Sequence, residues 1–185
     1  MRCKQKFLAL LLAVALVLAM SSTALADDKV CKIGEEEYAS LAEAVAKVPA
    51  DGTQTTIILL ANTTGDGVIV PSGKNIIFDL DGHTYTVNDN TVGSSGTETN
   101  GFQLLKGSTV TFQNGTIYAG SSAKIMLQNY ANLTLKDVTL DARGSTQCQY
   151  VSSNNCGTVN ITGSTSIYAA EGQAAFDVYY WPKGG

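Results

Sequence analysis

The chain has 185 residues, of which 44% are hydrophobic and 15% charged, a balance that suits one packed domain and excludes a disordered tail. Twelve basic residues face 16 acidic ones, and the formal net charge of −4 supplies no electrostatic footprint for a nucleic-acid partner.

Residues 1–26 read as a secretory signal peptide. Arg2, Lys4 and Lys6 form a positive start, Phe7 to Met20 is an apolar run of 14 residues, and Ala24-Leu25-Ala26 supplies the small residues of a cleavage site after Ala26. The run is shorter than the ~20 apolar residues a membrane span needs, and no second run of that length follows. The expectation is a secreted, extracellular or cell-surface protein with no membrane insertion once the signal is removed. Losing three cations and no acids would take the net charge from −4 to −7. Cys3 would leave with the signal, and the remaining Cys31, Cys148 and Cys156 are an odd set that permits one disulfide at most. Cys148 and Cys156 are near in sequence, but an extended Gln149 to Ser153 would hold their Cα atoms beyond the ~7 Å limit unless it bends, which leaves their bridge open. With one histidine, His83, and neither CxxC nor HExxH spacing, no metal site is expected.

Residues 27–55 read as an N-terminal cap. Val30 to Ile33 and Glu37-Tyr38 flank Gly34-Glu35 as a hairpin. Ser40-Leu41-Ala42-Glu43 is a capping box, and Leu41, Ala44, Val45 and Val48 share one face of a helix over 41–48 that Pro49 stops. A helix laid across the first coil of an open ladder would shield its apolar end.

Residues 56–185 carry the ladder, beginning with a strand at Thr56 to Leu60. The triplets Ile76-Ile77-Phe78, Val110-Thr111-Phe112, Leu133-Thr134-Leu135 and Val159-Asn160-Ile161 are apolar at both ends, as alternating strands are. Their starts are separated by 34, 23 and 26 residues, the first interval being enlarged by a polar segment from Asn88 to Asn100. Eight residues before each start stand Val68, Phe102, Ile125 and Val151, and seven after the middle two stand Ile117 and Leu140, with Ile167 matching after one insertion. Each unit therefore holds three short strands. Ser72-Gly73, Asp81-Gly82, Asn114-Gly115 and Thr162-Gly163 supply turns. Units of this length that cannot bury their inward residues alone must stack, which predicts an all-β solenoid, a single-stranded parallel β-helix of about five coils.

The succession Ile33-Gly34, Tyr38 to Val45, Pro49-Ala50-Asp51-Gly52, Thr56 to Leu60 and Gly73 to Thr84 resembles the start of the pectate-lyase-like, right-handed parallel β-helix superfamily, and most closely its bacterial secreted and surface repeat proteins. The resemblance implies the right-handed coil and opens the question of polysaccharide chemistry, since the superfamily includes lyases, hydrolases, esterases and adhesins. A hydrolase-like site would need converging aspartates. Asp79 and Asp81 share a strand face ahead of Gly82-His83, but Thr84 follows and no Arg-x-Lys element exists. A lyase-like site would need a calcium-binding carboxylate cluster beside an arginine base. Asp137, Asp141 and Arg143 approach this set, and calcium enters only with that alternative. Arg143 reads more simply as a solvated turn residue after Asp141, Asp79 with Asp81 as pairing with neighbours, since Lys136 occupies the repeat column of Asp79, and His83 as a cap of the Asp81-Gly82 turn.

Outward positions beside the central strand form a polar, nearly uncharged row: Asn75 and Ile77, Thr109 and Thr111, Asn132 and Thr134, Thr158 and Asn160. Tyr179, Tyr180 and Trp181 near the end either plug the last coil or stack on sugar rings. No polar cap follows Trp181, so the last coil is expected to meet a partner, a second copy through self-association, or further coils of a longer surface protein. The function expected is a non-catalytic module that binds a polysaccharide or cell-surface glycan, or mediates adhesion. The alternatives are a polysaccharide lyase or hydrolase and a structural spacer.

Overall fold

The computed structural model describes residues 29–180. The expected signal peptide, with cleavage expected after Ala26, and Trp181 lie outside the described residues.

The chain begins with a hairpin of β1 (Cys31–Ile33) and β2 (Glu36–Tyr38), followed by α1 (Leu41–Lys47). Ser40 caps the helix, its hydroxyl accepting the Glu43 N–H at 3.1 Å. The Glu43 carboxylate reaches back to the N–H of Ala39 at 3.1 Å, one residue before the partner a capping box ordinarily uses. The helix ends one residue earlier than the apolar pattern suggests. Val48 is extended, with φ −63° and ψ 132°, as the crowding of a following proline demands. Leu41, Ala44 and Val45 are buried, and α1 packs on β1, β2, β3 (Gln54–Leu59) and β5 (Val68–Val70).

From β3 onward the chain coils as a β-solenoid of about five turns with three strand positions per turn. β3 starts at Gln54, two residues ahead of the strand expected from Thr56. The first face stacks β5, β8 (Asn100–Leu104), β10 (Ile125–Asn129), β12 (Tyr150–Asn155) and β15 (Ala174–Tyr179). The second stacks β3, β6 (Asn75–Asp79), the first halves of β9 (Thr109–Tyr118) and β11 (Asn132–Asp141), and β13 (Thr158–Thr162). The third stacks β4 (Thr63–Gly65), β7 (Thr84–Val87), the second halves of β9 and β11, and β14 (Ser166–Tyr168). All of these pairings are parallel. At the N-terminal end, β1 closes the second face by pairing antiparallel with β3.

Stacking converts sequence spacing into columns. Ile57, Phe78, Phe112, Leu135 and Ile161 lie directly over one another on the second face. The first four are at most 1% exposed. Phe78 and Phe112 stack at 4.9 Å with a 10° interplanar angle, and Phe102 meets both edge-on. The corner between the second and third faces needs left-handed backbone, found at Asp81, Asn114, Asp137 and Gly163 with φ of 48°, 59°, 50° and 63°. Asp and Asn tolerate this region better than other side chains because their short polar groups bond locally. In β9 and β11 pairing continues through the corner, so the Asn114-Gly115 turn lies inside one ten-residue strand.

The insertion before β8 folds back without breaking the stack. The Asp66 carboxylate accepts the Asn90 side-chain amide at 3.0 Å, Asp89 accepts the hydroxyls of Ser121 and Ser122 at 2.6 Å each, and Val92 bridges to Asn100. No helix among the described residues is long and apolar enough to cross a membrane.

Candidate functional site

Period-2 alternation on the third face sends Tyr85, Ile117 and Leu140 into the core, at 2%, 0% and 0% exposure. Their neighbours on either side therefore face outward in two columns. One runs Thr84, Thr116, Thr139, Ser166; the other runs Thr64, Thr86, Tyr118, Asp141, Tyr168. Strand spacing puts successive members of a column about 4.8 Å apart, and the longer column spans about 19 Å. Thr84, Thr86, Thr116, Thr139 and Ser166 are half-buried. Among the described residues their hydroxyls make no hydrogen bond. At the N-terminal end of this strip Asn62, Thr63, Thr64, Thr84 and Thr86 line a cavity of about 340 Å³. Asn62 is fixed there by accepting the Thr84 backbone N–H at 2.9 Å.

The other end of the strip is built by Asp141 and Arg143. The Asp141 side chain is 10% exposed and accepts three bonds from one residue: the Arg143 backbone N–H at 3.0 Å, its Nε at 3.1 Å and its Nη2 at 2.7 Å. These bonds hold the Asp141 carboxyl below the usual carboxylate range, and the same contact raises the Arg143 guanidinium above its ordinary value. The guanidinium also lies over the Tyr168 ring, 4.1 Å from its centroid. The Arg143 Nη1 donors make no bond within the described residues.

The residues singled out from the sequence are dispersed. Asp137 is exposed at the corner, where its Oδ1 accepts the Ser164 N–H at 2.8 Å. It stands four strand residues before Asp141, about 13 Å along β11. Of the set Asp137, Asp141 and Arg143, only the last two meet. No group of three or more His, Cys, Asp or Glu side chains among the described residues is placed to hold a metal ion. Asp79 accepts the side-chain amides of Gln113 at 2.8 Å and Asn114 at 3.1 Å and the Asp81 N–H at 3.1 Å, so it serves its own corner. The backbone of His83 closes the same turn onto Leu80 and continues the ladder to Thr116.

Cys148 is a buried free thiol, so the bridge to Cys156 does not form. The extended β12 lies between the two residues, and Cys156 is exposed past its end. Burial raises the Cys148 thiol, and burial with nearby Glu43 pushes the Cys31 thiol up to about 12, which suits packing rather than nucleophilic chemistry.

At the C-terminal end Tyr179 and Tyr180 are 53% and 79% exposed. They do not plug the last coil. On the second face the polar row from the sequence is present, but its side chains are partly committed to one another. Thr158 donates to Asn132 Oδ1 at 2.9 Å and Asn75 to the Gly52 carbonyl at 3.2 Å, while Ile77, Asp79 and Lys136 interrupt the columns.

The third-face strip was missed in the sequence, although a signal for it exists. Each inward residue found there is flanked by the strip: Thr84-Tyr85-Thr86, Thr116-Ile117-Tyr118, Thr139-Leu140-Asp141, Ser166-Ile167-Tyr168. No protein-family model, curated protein or solved structure matches the chain.

Proposed function

We propose that the protein is a secreted or cell-surface, non-catalytic β-helix module that binds carbohydrate, a right-handed coil of the pectate-lyase-like kind. The observation that carries this reading is the third face. Hydroxyl groups at regular spacing, unspent among the described residues, lie beside exposed tyrosine and a fixed guanidinium, a combination suited to sugar hydroxyls and the apolar faces of sugar rings. The lyase alternative requires Arg143 to act as a base. Its bonds to Asp141 stabilise the protonated form, opposite to what a base needs.

Affinity electrophoresis of the purified protein through gels carrying neutral and acidic polysaccharides, with and without calcium, tests the reading. Calcium-independent retardation without release of unsaturated sugar products is the expected outcome. Free migration in every gel removes carbohydrate binding and leaves the structural-spacer reading. Product formation that disappears in Arg143→Ala would establish the lyase instead.

A further inference from the structure

We infer that the third face is the binding surface and that it takes a neutral, linear polysaccharide lying along the solenoid axis, with the Asn62–Thr86 cavity and the Arg143–Tyr168 pair as its two ends. This rests on the carbohydrate-binding reading and narrows it.

The placement follows from what each surface has left to offer. Thr84, Thr86, Thr116 and Thr139 keep both donor and acceptor capacity, because none of their hydroxyls bonds within the described residues, whereas the second face spends part of its polar groups across coils. Half-burial matters as well. A hydroxyl set among neighbours is partly shielded from competing water, so a ligand bond there is stronger than at a fully exposed position.

The class of ligand follows from charge and shape. The chain is acidic, with a net charge of −4, so a polyanion approaches against the field of the whole molecule. Arg143 is the one cation of the strip, and Asp141 neutralises it through two side-chain bonds. What remains is the Nη1 pair of donors beside the Tyr168 ring. Such donors fit two adjacent hydroxyl oxygens of a sugar while its apolar face rests on a nearby aromatic surface. The hydroxyl column Thr84, Thr116, Thr139, Ser166 repeats at every coil for about 14 Å, so the strip offers like contacts in succession to a ligand that is itself a repeat. The cavity of about 340 Å³ lies at the head of the same columns and is lined by uncharged residues alone.

The test compares isosteric variants in gels of galactomannan and mixed-linkage β-glucan as neutral probes and polygalacturonate and alginate as acidic ones. The double variant Thr116→Val with Thr139→Val keeps the β-branched shape and removes two hydroxyls. Tyr168→Ala removes the ring. Thr111→Val with Thr134→Val on the second face, and Tyr179→Ala with Tyr180→Ala at the end, serve as controls. A neutral gel is expected to retard the parent protein and both control proteins. The strip variants should bind it about tenfold more weakly, as loss of two neutral hydrogen bonds implies. All variants should keep the parent's thermal midpoint; if Tyr168→Ala does not fold, the threonine pair still decides. Loss of retardation in a control with the strip variants unaffected overturns the placement while leaving carbohydrate binding intact. Retardation by the acidic gels alone overturns the ligand class. Free migration of the parent protein in all gels overturns the carbohydrate-binding reading and this site with it.

Discussion

Asp141 illustrates how a single residue is set by what touches it. A carboxylate with a 10%-exposed side chain persists because Arg143 gives it three donors, while the arginine itself remains 60% exposed and stacks on Tyr168. Solvent around the guanidinium screens the pair and keeps its contribution small. Because the carboxyl is held below its ordinary value in the folded state, its contribution is fully present above the unfolded value of about 4 and disappears as pH falls through the lowered folded value. Urea midpoints of the parent protein should therefore drop more steeply below pH ~4 than those of Asp141→Asn. Equal slopes would show that the pair does not couple to folding. The proximity of Arg143 to Asp141 was visible in the sequence, but their joint contact with Tyr168 was not, since that ring arrives from the next coil.

At the level of elements, α1 has seven residues, well short of the ~12 at which an isolated helix becomes even marginal in water. Its existence depends on Leu41, Ala44 and Val45 packing over the first coil and on its caps. Ser40→Ala removes the acceptor for the Glu43 N–H and should lower stability by about 1 kcal/mol in urea denaturation. No change would mean that packing alone holds the helix. The cap was legible because a capping box, an apolar face and a proline stop are local signals. So were the corners, where Asp, Asn or Gly recurs. The division into three faces was only half legible. The inward residues of the third face stand out by their apolarity, whereas the outward Thr84, Thr116, Thr139 and Ser166 resemble ordinary loop composition until the stack aligns them.

At the scale of the whole molecule, a solenoid is held by contacts between neighbouring coils, so stability varies along its axis. The column Val70, Leu104, Asn129, Asn154, Val178 shows this directly. Val70 is fully buried and Val178 is 73% exposed, although both occupy the same position in their coils. Val70→Ala should cost about 2 kcal/mol and Val178→Ala less than about 0.5 kcal/mol by denaturant titration. Similar costs for the two would indicate that the last coil is covered in solution. Ile161 and Phe176, at 49% and 42% exposed, belong to the same end.

The sequence by itself determined the architecture, because in a stacked coil the repeat in the chain becomes the column in space: period-2 triplets, turn residues and unit length suffice to require a parallel solenoid with a helical cap. Tertiary structure alone decided which side chains share a surface. Insertions of unequal length, from the one residue before Ile167 to the polar segment before β8, shift the spacing between equivalent positions, so residues that touch across coils keep no fixed separation in the chain. The hydroxyl strip, the seating of Arg143 on Tyr168, the separation of Cys148 from Cys156 and the exposure of Tyr179 and Tyr180 all follow from that alignment.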